Sequence, residues 1–190
     1  YYTAEKVRNA QVVFREDTDG INQKITEFEQ AAEKALLNAP LTDDYEKALY
    51  IHDYLINICE YNAGEDFKYS STAYGCLVDG MANCEGYAKA FSYLAGRMGL
   101  VSVLVTGKTD KGENHAWNQV KIDGEWYNID VTWDDMDVPE EARKVYFLCN
   151  DETFGRTHIA ENTYFQAFEC TATENNYYVK NGLFANNSEE

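Results

Sequence analysis

Proline is scarce in this sequence, with two residues in 190, so no Pro-rich linker divides the chain. Basic residues are few as well: 16 lysines and arginines stand against 33 acidic residues, which gives a formal net charge of −17. Binding to nucleic acid or to an anionic membrane surface requires clustered Lys and Arg, so both functions are disfavoured. No apolar run approaches the roughly 20 residues that a bilayer span needs. We therefore expect no nucleic-acid partner and no membrane span.

No two cysteines form a C-x-x-C pair, which argues against a zinc ribbon or a thioredoxin-like redox site. An odd number of cysteines leaves at least one thiol unpaired in a monomer. The sequence fits either five reduced thiols or two disulfides and one thiol. The cysteines are Cys59, Cys76, Cys84, Cys149 and Cys170. We expect neither a cofactor nor a metal ion.

Apolar side chains are plentiful, with 45% hydrophobic and 14% aromatic residues, which is enough to form a buried core. The length predicts one domain with extensions. We expect a helical extension at 1–42, a core domain at 43–150, and a C-terminal extension at 151–190 that packs on the core or trails from it. The chain does not begin with methionine, so we expect a mature or trimmed fragment. Together with the acidic, Tyr- and Asn-rich composition, this start leads us to expect an extracellular or cell-surface location.

The periodicity of apolar residues predicts helices over 21–37 and 45–60, followed by a mostly irregular loop over 61–83. A third helix is predicted from Cys84, with Asn83 as its N-cap and Gly99 as its C-cap. Strands are then predicted at 101–106, 115–122 and 125–132, with the last two joined by an Asp123-Gly124 turn, and a further strand at 145–149. Helices followed by antiparallel strands predict an α+β fold.

The predicted hairpin brings a histidine near an aspartate. With a two-residue turn, Ile122 faces Glu125, so Trp117 faces Asp130 and His115 faces Thr132. Opposed residues share a face, as do residues two apart, so His115 and Asp130 are diagonal neighbours roughly 7–8 Å apart at Cβ or somewhat closer. A carboxylate at that distance can accept a hydrogen bond from the imidazole.

Cys84 supplies a possible nucleophile. A thiol in the first turn of a helix lies at the positive end of the helix dipole, which favours the thiolate. Small residues flank it, so a substrate could approach the sulfur. Together with His115 as acid and base and Asp130 as the group that orients the imidazole, it forms the Cys-His-Asp version of an acyl-transfer triad.

Three ordered motifs resemble those of the transglutaminase-like superfamily, and more narrowly its bacterial and cytokinesis-associated branch. They are GMANCEGYA at 80–88, NHAWN at 114–118 and DGEWYNIDVTWD at 123–134, within a match that covers roughly residues 43–150. The resemblance implies a papain-like fold in which the catalytic cysteine begins a helix packed on an antiparallel sheet. It also implies that Cys84, His115 and Asp130 are catalytic and that the protein is bacterial.

The implied chemistry is acyl transfer from a protein or peptide amide through a thioester, by hydrolysis or by transfer to an amine. Tyr74 is a candidate oxyanion donor beside the backbone N–H of Cys84, and Asn83 and Trp117 are candidates for the substrate cleft. The alternative is a cell-surface binding or scaffold module that keeps the fold without turnover. That alternative predicts that Tyr or Trp side chains block the face that carries the triad.

The remaining polar residues fit structural roles. His52 lies on an apolar helix face, where a hydrogen-bonded core residue is expected, and His158 is also expected to be structural. The acidic residues at 134–141 lack the spacing of an EF-hand, so a solvated loop is favoured over a calcium site.

Overall fold

The computed structural model describes residues 18–40, 43–62, 67–139, 142–161 and 166–183. The helices in these ranges are α1 (Thr18–Leu36), α2 (Asp44–Ile58), α3 (Cys84–Arg97), α4 (Val131–Asp134), α5 (Asp151–Phe154) and α6 (Tyr177–Lys180). The strands are β1 (Glu60–Tyr61), β2 (Met81–Ala82), β3 (Val101–Thr109), β4 (Asn114–Ile122), β5 (Glu125–Ile129) and β6 (His158–Ala160), and a π-helical turn spans Gly75–Asp79. Within the described ranges, no helix has the length and apolar character needed to cross a bilayer.

The main sheet has four antiparallel strands in the order β5-β4-β3-β6, and a short parallel pair joins β1 to β2. Helix α3 packs on β3 and β4, and α2 packs against α3. The α+β fold predicted from the sequence is confirmed. The core between helices and sheet is filled by side chains that are almost completely buried, among them Tyr87, Phe91, Leu94, Val120, Ile122 and Tyr127. Burying each such side chain stabilises the fold by roughly 1.5–3 kcal/mol, and together these side chains hold α3 against the sheet.

The helix starts follow the capping signals in the sequence. The Asp43 side chain accepts a hydrogen bond from the Glu46 N–H at 3.1 Å, and Asn83 accepts one from the Gly86 N–H at 3.1 Å. The predicted beginning of α3 at Cys84 is therefore confirmed. Gly99 follows the end of α3 with φ of 79°, a conformation that favours glycine at a helix terminus.

Several predicted strand boundaries were wrong. The strand predicted over 125–132 ends at Ile129, because Asp130 leaves the ladder and caps α4. Residues 145–149 form turns with one isolated bridge, from Asn128 to Cys149, and the side chains of Phe147, Leu148 and Cys149 are buried in the core. The loop predicted at 61–83 contains the π-helical turn and β2, and β6 was not predicted.

Gly86 in α3 is expected to tolerate no side chain, because a Cβ there would lie 2.2 Å from the Ser70 carbonyl oxygen and 2.8 Å from Ala82 Cβ. We predict that Gly86→Ala lowers the free energy of unfolding by about 1–3 kcal/mol through overpacking. Gly96 lies on an exposed part of the same helix with nothing within 4 Å of a Cβ. The matched change Gly96→Ala should raise stability by about 0.5–1 kcal/mol. Urea denaturation of both variants tests this, and equal stabilities would contradict it.

Candidate active site

Cys84 is the first residue of α3 and is partly exposed. It lines a cavity of about 510 Å³ together with His115. The other lining residues include Tyr61, Asn83, Glu85, Thr106, Gly107 and Glu161. The thiol is thus reachable from outside at the end of a helix whose dipole favours a negative charge.

His115 lies on β4 and contacts the aspartate that the hairpin register predicted. The observed pairs run from Ile122 with Glu125 to Asn118 with Ile129, so the predicted register is confirmed as far as β5 extends. His115 Nε2 lies 2.6 Å from Asp130 Oδ2, although Asp130 is a helix cap rather than a strand residue. The pairing of β4 with β5 brings His115 and Asp130 together. Because β5 ends at Ile129, the Asp130 carboxylate is held as the N-cap of α4.

The Asp130 carboxylate is buried and accepts four hydrogen bonds. Oδ2 accepts from His115 Nε2 at 2.6 Å and from His158 Nε2 at 3.0 Å. Oδ1 accepts from the N–H groups of Thr132 at 3.0 Å and Trp133 at 3.3 Å. Four donors match the lone-pair capacity of an ionised carboxylate, so the charge is satisfied although it is buried.

The electrostatics of the cluster favour a protonated imidazole beside an ionised carboxylate. Burial alone would lower the pKa of His115, but its hydrogen bonds with Asp130 and with the Cys84 side chain outweigh that effect and raise it from 6.5 to about 9. Burial would likewise raise the pKa of Asp130, but the hydrogen bonds from His115 and His158 hold it below 3.8. His115 can therefore carry a positive charge next to Cys84 at neutral pH.

Tyr61 is a residue of this cavity that the sequence did not single out. Burial raises the pKa of its hydroxyl, and interactions with Cys84, Glu113 and Asp130 raise it further. It reaches the cavity because β1 pairs with β2, and β2 ends two residues before Cys84. Those two-residue strands carry no periodicity from which this placement could have been predicted.

The three candidates for the cleft are placed differently. Asn83 lines the cavity, with its side chain used as the cap of α3. Trp117 is 3% exposed and lies behind His115, with ring centroids 6.2 Å apart. Tyr74 is not brought to the cavity beside Cys84: its hydroxyl donates to Glu27 of α1 at 2.6 Å.

Each of the three histidines contacts an aspartate. His52 is buried, as expected for a hydrogen-bonded core residue, with Nε2 3.0 Å from Asp134 Oδ2 and Nδ1 2.8 Å from Asp53 Oδ1. His158 shares Asp130 with His115, which the sequence did not predict. The sequence has three histidines, and their small number does not indicate which side chain each of them contacts.

The acidic run after Asp130 is not the solvated loop that we expected. Asp134 is buried against His52, and Asp135 accepts a hydrogen bond from the Tyr87 hydroxyl. Asp137 is exposed, and residues 140–141 lie outside the described residues. The five cysteines all lie in described parts of the chain and are free thiols.

The cluster of His115, Asp130 and His158 has the residue types of a metal site, with its ligand atoms within 4.8 Å of one another. The contacts to Asp130 Oδ2, at 2.6 Å and 3.0 Å, are hydrogen-bond distances. Ligand atoms around a tetrahedral zinc ion lie roughly 3.3 Å apart, and each imidazole must turn a lone pair rather than an N–H toward the ion. The present geometry therefore fits a hydrogen-bonded cluster better than a metal centre.

Comparisons with known proteins identify the family and the fold. The family model of the transglutaminase-like superfamily matches residues 32–131. The kyphoscoliosis peptidases of Homo sapiens and Mus musculus are each 29% identical to this chain, over 54% of the chain and 19% of the relative. This chain therefore spans about a fifth of the length of those relatives. The crystal structure of a TGase has the same fold, with a TM-score of 0.50 and 19% identity over 67% of this chain and 35% of that one.

Proposed function

Because this chain belongs to the transglutaminase-like superfamily, we propose that it is a cysteine-dependent enzyme that transfers the acyl group of a protein or peptide amide. One observation carries the proposal. His115 contacts Asp130 through Nε2 at 2.6 Å and lines the same cavity as the partly exposed Cys84 thiol. A thiol, an imidazole and a buried carboxylate in that order are the groups that activate a cysteine nucleophile.

In the proposed reaction, the Cys84 thiolate attacks the carbonyl carbon of the amide, and the electron pair of the C=O bond moves onto oxygen. The backbone N–H of Cys84 is our candidate donor to that oxyanion. As the tetrahedral intermediate collapses, the C–N bond breaks and the His115 imidazolium gives its proton to the departing amine. This leaves a thioester on Cys84 and a neutral imidazole.

The second half of the proposed reaction restores the thiol. Neutral His115 takes a proton from water as the water oxygen attacks the thioester, and collapse releases the carboxylic acid and the Cys84 thiolate beside an imidazolium. An amine in place of water would give a crosslink. We favour water, because the curated relatives are named peptidases. The open cavity at Cys84 favours an enzyme over a binding module whose triad face is blocked.

Alkylation of Cys84 tests the proposal without knowledge of the substrate. We expect iodoacetamide at pH 6 to modify the wild-type protein once, at Cys84, at least tenfold faster than glutathione. A thiolate held by an imidazolium is reactive at a pH where an ordinary thiol is protonated. The measurement is intact mass against time, followed by peptide mapping. His115→Ala should reduce the rate to that of glutathione or below.

Two variants control this experiment. Cys84→Ala should remove the fast adduct, and Cys170→Ala, at a buried thiol away from the cavity, should leave the rate unchanged. If wild-type Cys84 reacts no faster than glutathione, the proposed activation of the thiol is wrong. The binding-module hypothesis would then be the better one.

A further inference from the structure

His158 is buried behind the proposed site, on β6 at the edge of the main sheet. It is 4% exposed and packs against the ring of Phe154, with centroids 3.9 Å apart, and against that of Trp133, at 4.5 Å. Strand β6 holds it there by pairing with β3, where His158 faces Thr109. His158 does not line the cavity beside Cys84, so it has no route to a substrate bound there.

Both nitrogens of the His158 ring are hydrogen-bonded. Nδ1 lies 2.9 Å from Thr157 Oγ1, and Nε2 lies 3.0 Å from Asp130 Oδ2. The Thr157 hydroxyl also donates to the Phe154 carbonyl oxygen, at 3.4 Å. A carboxylate only accepts, so the Nε2 proton must face Asp130. The donor of the His158 ring is therefore aimed at Asp130.

We infer that His158 is a positioning residue for the proposed acyl transfer, on which this inference rests: it holds the Asp130 carboxylate in the orientation that His115 requires. Among the described contacts of Asp130 Oδ2, His115 changes protonation during the reaction and His158 does not take part. When His115 gives up its proton, the charge-assisted part of its bond to Asp130 weakens. The bond from His158 persists through that step and keeps Oδ2 in place for the next one.

Removing this donor should change the pH dependence in a known direction. The hydrogen bond from His158 lowers the pKa of Asp130, so its loss must raise that pKa. Protonated Asp130 cannot hold the His115 imidazolium, so the ion pair with Cys84 should be lost at a higher pH on the acid side. Asp130 is faced directly by His115 and His158, and at longer range by Tyr61, Asp134 and Tyr146.

The test compares alkylation of Cys84 by iodoacetamide from pH 4 to pH 9 in three variants of this chain. His158→Phe keeps an aromatic ring against Phe154 but removes the donor. We expect its rate at pH 6 to fall about ten- to a hundredfold. We also expect the acid limb of its rate profile, which is the fall in rate at low pH, to move to higher pH. His158→Gln, which keeps an N–H donor, should recover part of both effects. Ile159→Ser, at the neighbouring exposed position of β6, should match the wild type.

The outcomes separate the two proposals. A wild-type profile in His158→Phe overturns this inference, as does an equal fall in Ile159→Ser, because the strand rather than the imidazole would then matter. If His158→Phe does not fold, Thr157→Val and His158→Gln decide. A shifted acid limb in either supports the inference, and unshifted limbs in both overturn it. If Cys84 of the wild-type protein reacts no faster than glutathione, both the proposed function and this inference are wrong.

Discussion

Replacing Asp130 with asparagine is expected to lower acyl-transfer turnover by about 10³- to 10⁴-fold, while the protein remains folded. Asparagine keeps an oxygen that can cap the Thr132 and Trp133 N–H groups, which the carboxylate now accepts at 3.0 Å and 3.3 Å. It removes the negative charge 2.6 Å from His115 Nε2. The variant therefore separates the electrostatic role of Asp130 from its role as a helix cap.

The expected loss follows from the charge on His115. Burial opposes a charged imidazole, and the raised pKa of about 9 depends on the bonds to Asp130 and Cys84 that outweigh burial. Without the carboxylate, the pKa of His115 should fall. At neutral pH the ring would then be uncharged, and Cys84 would lose the imidazolium that stabilises its thiolate. The departing amine would also lose its proton donor.

The same change should alter how stability depends on pH. The pKa of His115 is raised from 6.5 to about 9, so its pairing contributes stability that is complete below about pH 6.5 and is lost as pH rises through 9. Asp130 is shifted down from 3.8, so its contribution is present above that pH and lost on further acidification. The difference in Tm between wild type and Asp130→Asn should therefore be largest between about pH 4 and pH 6.5.

The measurements are turnover of a peptide amide, together with Cys84 alkylation by mass spectrometry and thermal melting, each of the last two over a pH series. Asp134→Asn is the matched control, because Asp134 lies four residues later and contacts His52 rather than His115. It should lose stability but keep the alkylation profile of the wild type. A wild-type rate in Asp130→Asn would show that the carboxylate does not support the imidazolium.

Replacing Asp134 with alanine is expected to lower the free energy of unfolding by about 3–5 kcal/mol. Asp134 is fully buried, and its two oxygens accept from the Tyr146 N–H at 3.0 Å and 3.1 Å. Oδ2 also accepts from His52 Nε2 at 3.0 Å, which ties α4 to α2. Alanine would leave the buried ring N–H of His52 and the partly buried backbone N–H of Tyr146 without their acceptor.

Thermal and urea denaturation measure this effect, with a drop in Tm of roughly 10 °C expected for a chain of this length. Asp137→Ala, three residues later and exposed, should change stability by no more than about 0.5 kcal/mol. The double variant His52→Leu with Asp134→Ala should be less destabilised than the sum of the two single changes, because it leaves no unpaired ring N–H. Additive effects would mean that the two side chains do not act as a pair.

Local chemistry explains why parts of this site were predictable. An asparagine before a helical run caps it, so the start of α3 at Cys84 could be predicted from Asn83. A two-residue Asp-Gly turn sets the pairing of both strands that it joins, and with it the approach of His115 to Asp130. The predicted strand at 125–132 was too long, because Asp130 leaves the ladder after Ile129 and caps α4 instead. Asp130 does so while still facing His115.

The sequence by itself determined the helix start, the hairpin pairing and the family motifs, because each depends on residues a few positions apart. Only the tertiary structure decided the partners of buried charges. His158 lies 28 residues from Asp130, and Asp134 lies 82 from His52. Contacts over such separations depend on how the whole core packs, and a buried carboxylate takes whichever donors that packing brings within reach.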